Sequence, residues 1–455
     1  MTDWRTRSYW MSRNDYTPGP RLDGNTSCDV VIMGAGFTGL WTAIQLKEAD
    51  PALDVVVLEG EVAGYGASGR NGGFAMTMVS RNIHDLLRKC GHERARNTHL
   101  AMRDSLHEIE EFCAKHEIDA DVTNPGLLTL SNGPEQDIRI EQDLIAAEKL
   151  GLDDFKALTT EEVREIVHSD KVRIGHLEDD ALLVDPAALS RGLRDAAVSL
   201  GVNVFERTPV ESMTEVEGGA VVATTPFGNV VAERGVIATN AYAQSFPELR
   251  RYLFTIYANI IVTDPLTDEQ WDRVGWTPKV GIEDKRVMPH FHRPTPDRRI
   301  LWGGRDAPFS PVGPNPRWDR NPWIASRLEE TFRWTFPQLS DVKIASAWAG
   351  PVCGTINCFA TIGWLGGTGR IAYAVGYAGH GVGPSHLAAK ILKDMLLGRD
   401  SELLTLPMVT KKPIALPPGP TRRFFLDSTQ RLLQKGDDIG TDAGPLLKLT
   451  LKALQ

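Results

Sequence analysis

The chain has 455 residues, 42% of them hydrophobic and 24% charged, with a formal net charge of -9. That length exceeds one ordinary core and implies two interlocked domains plus a tail, while the acidic balance leaves no basic footprint for nucleic acid. The start MTDWRTRSYW has no basic segment leading into an apolar run, and no uncharged apolar stretch of about 18 residues occurs, so a cytoplasmic protein without a membrane span is expected.

Five cysteines (Cys28, Cys90, Cys113, Cys353 and Cys358) are odd in number and scattered, which suits a reducing compartment rather than a disulfide framework. The first informative element is DVVIM (29–33), a run of buried-strand character. It is followed at once by Gly34-Ala35-Gly36-Phe37-Thr38-Gly39 and the helical stretch LWTAIQLKEA. Strand, glycine turn and helix in this order cradle a dinucleotide. The glycines permit a tight turn, close approach to pyrophosphate and close helix-to-strand packing, and the helix N-terminus offers its free N–H groups to the phosphates. A second strand, DVVVLE (54–59), ends in Glu59, about 20 residues beyond the last glycine, where a carboxylate accepts the hydroxyls of the adenosine ribose. Gly60 and Glu61 follow in place of an arginine, which disfavours NADP.

An NAD domain needs nothing more of this kind, yet the chain continues Gly64-Tyr65-Gly66-Ala67-Ser68-Gly69-Arg70-Asn71-Gly72-Gly73. Small residues let backbone N–H groups approach a flat ring or a phosphate, while Ser68 adds a hydroxyl and Arg70 a fixed charge. These features point to FAD. Further on, YANIIVTD (257–264) and HFHRPTPDRRILWGG (290–304) read as antiparallel strands with Pro294 and Pro296 in a hairpin. His290 and His292 share one face of their strand and are either substrate contacts or ordinary surface histidines. They lack further ligands at suitable spacing, so no metal is expected. Arg286, Arg293 and Arg305 are candidates for holding an acidic group of the substrate.

The stretch 369–398 (GRIAYAVGYAGHGVGPSHLAAKILKDMLLG) reads as strand, glycine loop and helix, with Pro384 inside the helix start and Gly398 past its end. Its N-terminus directs partial positive charge toward whatever the loop Gly379-His380-Gly381-Val382-Gly383 holds, and a reduced flavin gathers negative charge. After Pro413, Pro417, Pro418 and Pro420, the segments 422–436 and 445–455 read as short amphipathic helices. Such helices pack back on their own domain or lie on a membrane or partner.

The sequence resembles the D-amino-acid-oxidase-like FAD-dependent amine oxidoreductases, and within them the gamma-glutamylputrescine oxidase type. The residues that carry the likeness are SYW (8–10), the fingerprint from Asp29 to Gly39, GASGRNGG (66–73), VDPAAL (184–189), VIATNAY (236–242), Trp348-Ala349-Gly350 with Thr355, and GYAGHGVG (376–383). The resemblance implies an α/β fold: a two-part, Rossmann-like FAD-binding domain of glutathione-reductase type, and a substrate domain of antiparallel sheet plus helices. The FAD domain would be drawn from 27–80, 180–250 and 344–400, and the substrate domain from 81–179 and 251–343, with 401–455 as a C-terminal tail. It adds Val210 at the adenine, and Thr239 and Gly350, to the FAD contacts. Phe74 and Trp348 join His290, His292 and Arg305 as substrate contacts. His380 would sit near the ring, either as a hydrogen-bond partner of flavin or ribityl or in proton transfer.

The implied reaction takes a hydride from the carbon beside a neutral amine and gives an imine that hydrolyses to aldehyde and amine, with O2 or another acceptor reoxidising the flavin. Lys279 and Lys285 are candidates for favouring oxygen. This chain has Asn357 and Ala360 where many members have aspartate and proline, and relatives that attach flavin through cysteine do so nearer Gly350 than Cys353 or Cys358. Non-covalent FAD is therefore expected. The alternatives are an FAD-dependent 2-hydroxy-acid dehydrogenase and a flavin-binding subunit that needs a partner.

Overall fold

The computed structural model describes residues 3–439 except Asn14 and Ser80. DVVIM lies in the strand Thr26–Met33, at the centre of an eight-stranded sheet. The strands Ile371–Val375, Gly228–Ile237, Thr26–Met33, Val55–Leu58 and Asn203–Phe205 run side by side and parallel. All of Val55–Leu58 is buried, as a parallel strand covered on both faces requires. Thr361–Leu365 adds an antiparallel edge, and Ser212–Glu215 and Val221–Thr225 form an antiparallel extension on Gly228–Ile237. The helix Phe37–Ala49 packs on this sheet beside the helix Val382–Leu396, so two distant glycine loops start their helices from neighbouring points. Gly39 permits that packing, because a Cβ there would lie 1.9 Å from the Gly34 carbonyl oxygen.

The second sheet has nine strands and takes them from both intervening stretches of chain. His290–Pro294 pairs with Ile300–Gly304 as the expected hairpin, and Gly281–Asp284 joins them to Leu127–Leu130 through the sheet's parallel pair. The expected boundary at residue 344 does not match the strand pairing. Ile344–Thr355 lies antiparallel to Leu253–Thr263 along its whole length and so belongs to this second sheet. Side-chain alternation divides the sheet into two unlike faces. Ile282, Ile300 and Trp302 pack against Phe332 and Phe336 on and just after the helix Pro322–Thr335. On the other face Phe74 covers Gly281 and Phe291 covers Gly303; a Cβ on either glycine would come within 2.5 Å of the ring.

The tail differs from expectation in extent. One helix, Pro420–Ile439, replaces the short helix expected at 422–436, and the segment 445–455 lies outside the described residues. This helix packs on its own chain. Leu426 is buried with Phe254 and Leu416, and Gln430 Oε1 accepts the Phe309 amide at 3.2 Å. No helix among the described residues is long and apolar enough to cross a membrane.

Candidate active site

A cleft of about 600 Å3 opens at the C-terminal ends of the parallel strands, where an α/β sheet binds dinucleotides. Gly34, Gly36, Phe37 and Thr38 line it with Glu59, Gly60, Gly66, Ala67, Ser68, Val210, Thr239 and Gly381. The Glu59 carboxylate accepts the Ala35 amide at 2.8 Å and the Glu61 amide at 2.9 Å, which ties the end of the second strand to the first glycine turn. Burial pushes its carboxyl up to about 7 against the pull of those two donors. Thr239 Oγ1 is buried without a hydrogen-bond partner among the described residues. Open glycines, a helix N-terminus, an acid beside the turn and an orphaned hydroxyl fit the adenosine diphosphate half of FAD.

The loop 64–73 folds beneath that helix start. Ser68 Oγ accepts the Phe37 amide at 3.0 Å, and a Cβ on Gly36 would come within 2.9 Å of the same oxygen. Asn71 shapes the loop from within: its Nδ2 donates to the Ser68 carbonyl at 2.9 Å and its Oδ1 accepts the Gly73 amide at 2.7 Å. Arg70 is buried, donating through Nε to the Tyr65 carbonyl at 2.8 Å and pairing with Asp319 at 3.1 Å. The N-terminal segment braces the loop, with Trp10 Nε1 donating to the Asn71 carbonyl at 2.9 Å. Ala35, Gly39, Gly73 and Gly383 are absent from the cavity walls. Gly39, Gly73 and Gly383 act through close packing, since a Cβ on Gly383 would meet the Met76 carbonyl at 2.9 Å and one on Gly73 the Val184 carbonyl at 2.2 Å.

A second cavity of about 310 Å3 adjoins the first, and Ala67, Asn71, Val352, Gly379 and Val382 line both. Arg70, Gly72, Gly350 and His380 also line it. Its walls are Phe74, Phe254, Phe291 and Phe309, and Phe425, Leu426, Thr429 and Leu433 of the C-terminal helix close it. An apolar chamber with a few convergent polar groups is the usual form of a small-molecule site. The polar groups include Glu283, Arg305 and His380. His380 Nδ1 is buried without a partner among the described residues, and burial, with Lys285 nearby, lowers its pKa to about 4. The ring is therefore neutral at pH 7.

Three expected substrate contacts lie elsewhere. His290 and His292 point to the opposite face of the sheet from Phe291, because odd and even positions of a strand alternate. There His290 Nδ1 meets Asp284 at 3.0 Å and its Nε2 meets Thr331 at 3.0 Å, while His292 stacks on Trp302 with ring centroids 4.4 Å apart. Trp348 is buried in the core, and its Nε1 donates to the Arg70 carbonyl at 2.8 Å, so it fixes the loop 64–73 from behind. Of the candidate arginines, Arg286 pairs with Asp284, Arg293 holds the carbonyls of Gly73 and Val184, and Arg305, with its Nε 4.0 Å from Asp306, lines the cavity. Lys279 lies over Trp271, and Lys285 is buried against Asp143. Cys353 is fully buried, whereas Cys358 borders the cavity.

Sequence reasoning missed Glu283 and the C-terminal helix wall. Glu283 lies in a four-residue strand whose facing is set by its partners, and the helix reaches the cavity only through tertiary packing. Among the described residues one buried group, His99, Asp154 and Glu178, has the composition of a metal site, but His99 Nε2 is already bonded to Asp154 at 2.7 Å.

A glycine-turn cleft joined to an apolar chamber fits an FAD-dependent oxidoreductase. The chain belongs to the DAO family of FAD-dependent oxidoreductases, whose model matches residues 29–395. It is similar to the gamma-glutamylputrescine oxidoreductase of Escherichia coli K12, with 31% identity over 88% of this chain and 90% of that protein. A probable oxidoreductase of Haemophilus influenzae is 30% identical over 87% of this chain and 89% of its own length. Among solved structures, glycine oxidase from Geobacillus kaustophilus superposes with a TM-score of 0.70 at 18% identity, covering 85% of this chain and 99% of that one. L-proline dehydrogenase from P. horikoshii gives 0.69 at 17% identity, with 86% and 98% covered.

Proposed function

We propose that the protein oxidises the carbon–nitrogen bond of a small primary or secondary amine seated in the aromatic chamber. The observation that carries this reading is the junction of the two cavities, where Ala67, Asn71, Val352, Gly379 and Val382 form a shared wall. When bound, FAD supplies the two-electron acceptor: the carbon beside the amine loses a hydride, and the imine left behind is hydrolysed to a carbonyl compound and an amine. The residues of the chain orient the substrate and set its charge. The phenylalanine walls exclude water, and an apolar setting favours the uncharged form of an amine. Neutral His380 offers one hydrogen bond at the flavin edge rather than a charge.

Arg305, on the wall of the chamber, holds an acidic group at the far end of the substrate. A gamma-glutamylated amine, the class in the name of the Escherichia coli relative, carries both features. The test compares matched amines with and without a distal carboxylate in the reductive half-reaction. The acid-bearing amine should bind about ten-fold or more tighter, as a charge-assisted pair implies. Equal affinities would remove the anion-binding part of the proposal.

A further inference from the structure

Glu283 is the acid in the chamber that this reaction leaves unused. It lies in the strand Gly281–Asp284, opposite Phe291, and shares the cavity face with Gly281 and Phe74. The residue is 8% exposed, and its side chain has no hydrogen bond or ion pair among the described residues. A buried carboxylate without a partner is costly, and burial pushes this one up to about 7. The nearest lysine, Lys285, cannot neutralise it alone, because its ammonium is bound to Asp143. Glu178, also buried nearby, accepts the Thr77 hydroxyl and lies beside His99, whose Nε2 is bonded to Asp154. Glu283 thus faces the cavity without an ion pair among the described residues, and a cation brought in by the substrate would balance it.

We infer that Glu283 is the anchor for a positively charged, non-reacting nitrogen of the substrate, an ammonium or guanidinium group at the end remote from the flavin. This rests on the amine reading above. The reacting nitrogen itself is not the partner, since a carboxylate beside it would hold it protonated and block hydride loss. Together with Arg305, Glu283 suits a substrate whose far end is zwitterionic, as in an amino acid.

Binding is tested without turnover. Butylguanidinium and its neutral isostere butylurea are titrated into the FAD-loaded enzyme by calorimetry, for the wild type and for Glu283→Gln. The wild type should bind the cation about ten-fold or more tighter than the urea, and the variant should lose that preference while its affinity for butylurea is unchanged. Equal affinities in the wild type, or a preference that survives in Glu283→Gln, would overturn the assignment. If that variant fails to retain FAD, Glu283→Asp replaces it: the retracted carboxylate should lower the cation-to-urea ratio, and an unchanged ratio overturns the assignment. Because no oxidation is involved, an enzyme that oxidises amines without this preference refutes only the anchor. One that shows the preference and oxidises no amine refutes only the amine reading.

Discussion

The carboxylate of Glu59 accepts the amide of Ala35 at 2.8 Å, so the end of one strand is bonded to the glycine turn that follows its neighbour. The same carboxylate faces the dinucleotide cleft, where ribose hydroxyls are the natural additional donors. Glu59→Gln removes the charge and keeps the shape. It should weaken FAD retention by about 1.5 to 3 kcal/mol, the usual worth of a hydrogen bond to a charged group. Flavin content after dialysis and a fluorescence titration of the apoprotein measure it, and unchanged affinity would show that the ribose lies elsewhere.

Gly39→Ala tests the packing beneath the cleft. Overpacking commonly costs about 1 to 3 kcal/mol, and here the new methyl would meet backbone, which yields less than a side chain. The expected result is a urea midpoint shifted down and protein that purifies short of flavin. A wild-type midpoint with full flavin content would show that the helix can move away from the strand without loss.

Much of this cleft was legible in the sequence because it depends on local chemistry: the order strand, glycine turn, helix and acid is contiguous and each residue has one evident use. The chamber was not, because facing decides it. Phe291 reaches the cavity while its neighbours His290 and His292 turn away, and alternation alone does not say which set faces the flavin. The Ile344–Thr355 strand carries the expected Gly350 to the cavity, yet joins the other sheet through pairing with a segment about 90 residues earlier. The helix Pro420–Ile439 was legible as amphipathic, but the target of its apolar side exists only in the folded chain.

His380 should not titrate in the working range. Its pKa is lowered to about 4, by burial first and by Lys285 second, so the ring is neutral throughout pH 5 to 9 and loses no proton there. Glutamine at this position can form a similar hydrogen bond. His380→Gln should therefore lower the rate of flavin reduction while leaving the shape of its pH profile as in the wild type. Loss of an ionisation between pH 6 and 7 in the variant would mean that His380 carries a proton in the reaction.

The flavin should be held without a covalent bond. Cys353 is fully buried, with its thiol pushed up to about 12, and Cys358 sits at the cavity border. Acid precipitation should leave a white pellet and all the yellow colour in the supernatant, whereas colour in the pellet would show attachment.

The decisive measurement is anaerobic mixing of the yellow, purified chain with an amine or with a 2-hydroxy acid while the flavin absorbance is followed. The amine should bleach the flavin in a single turnover, with release of a carbonyl product and a rate that rises with pH as more of the amine is uncharged. The 2-hydroxy acid should leave the colour intact. Bleaching by the hydroxy acid alone, bleaching by the amine only after another protein is added, or a rate that falls steadily as pH rises would contradict amine oxidation by this chain.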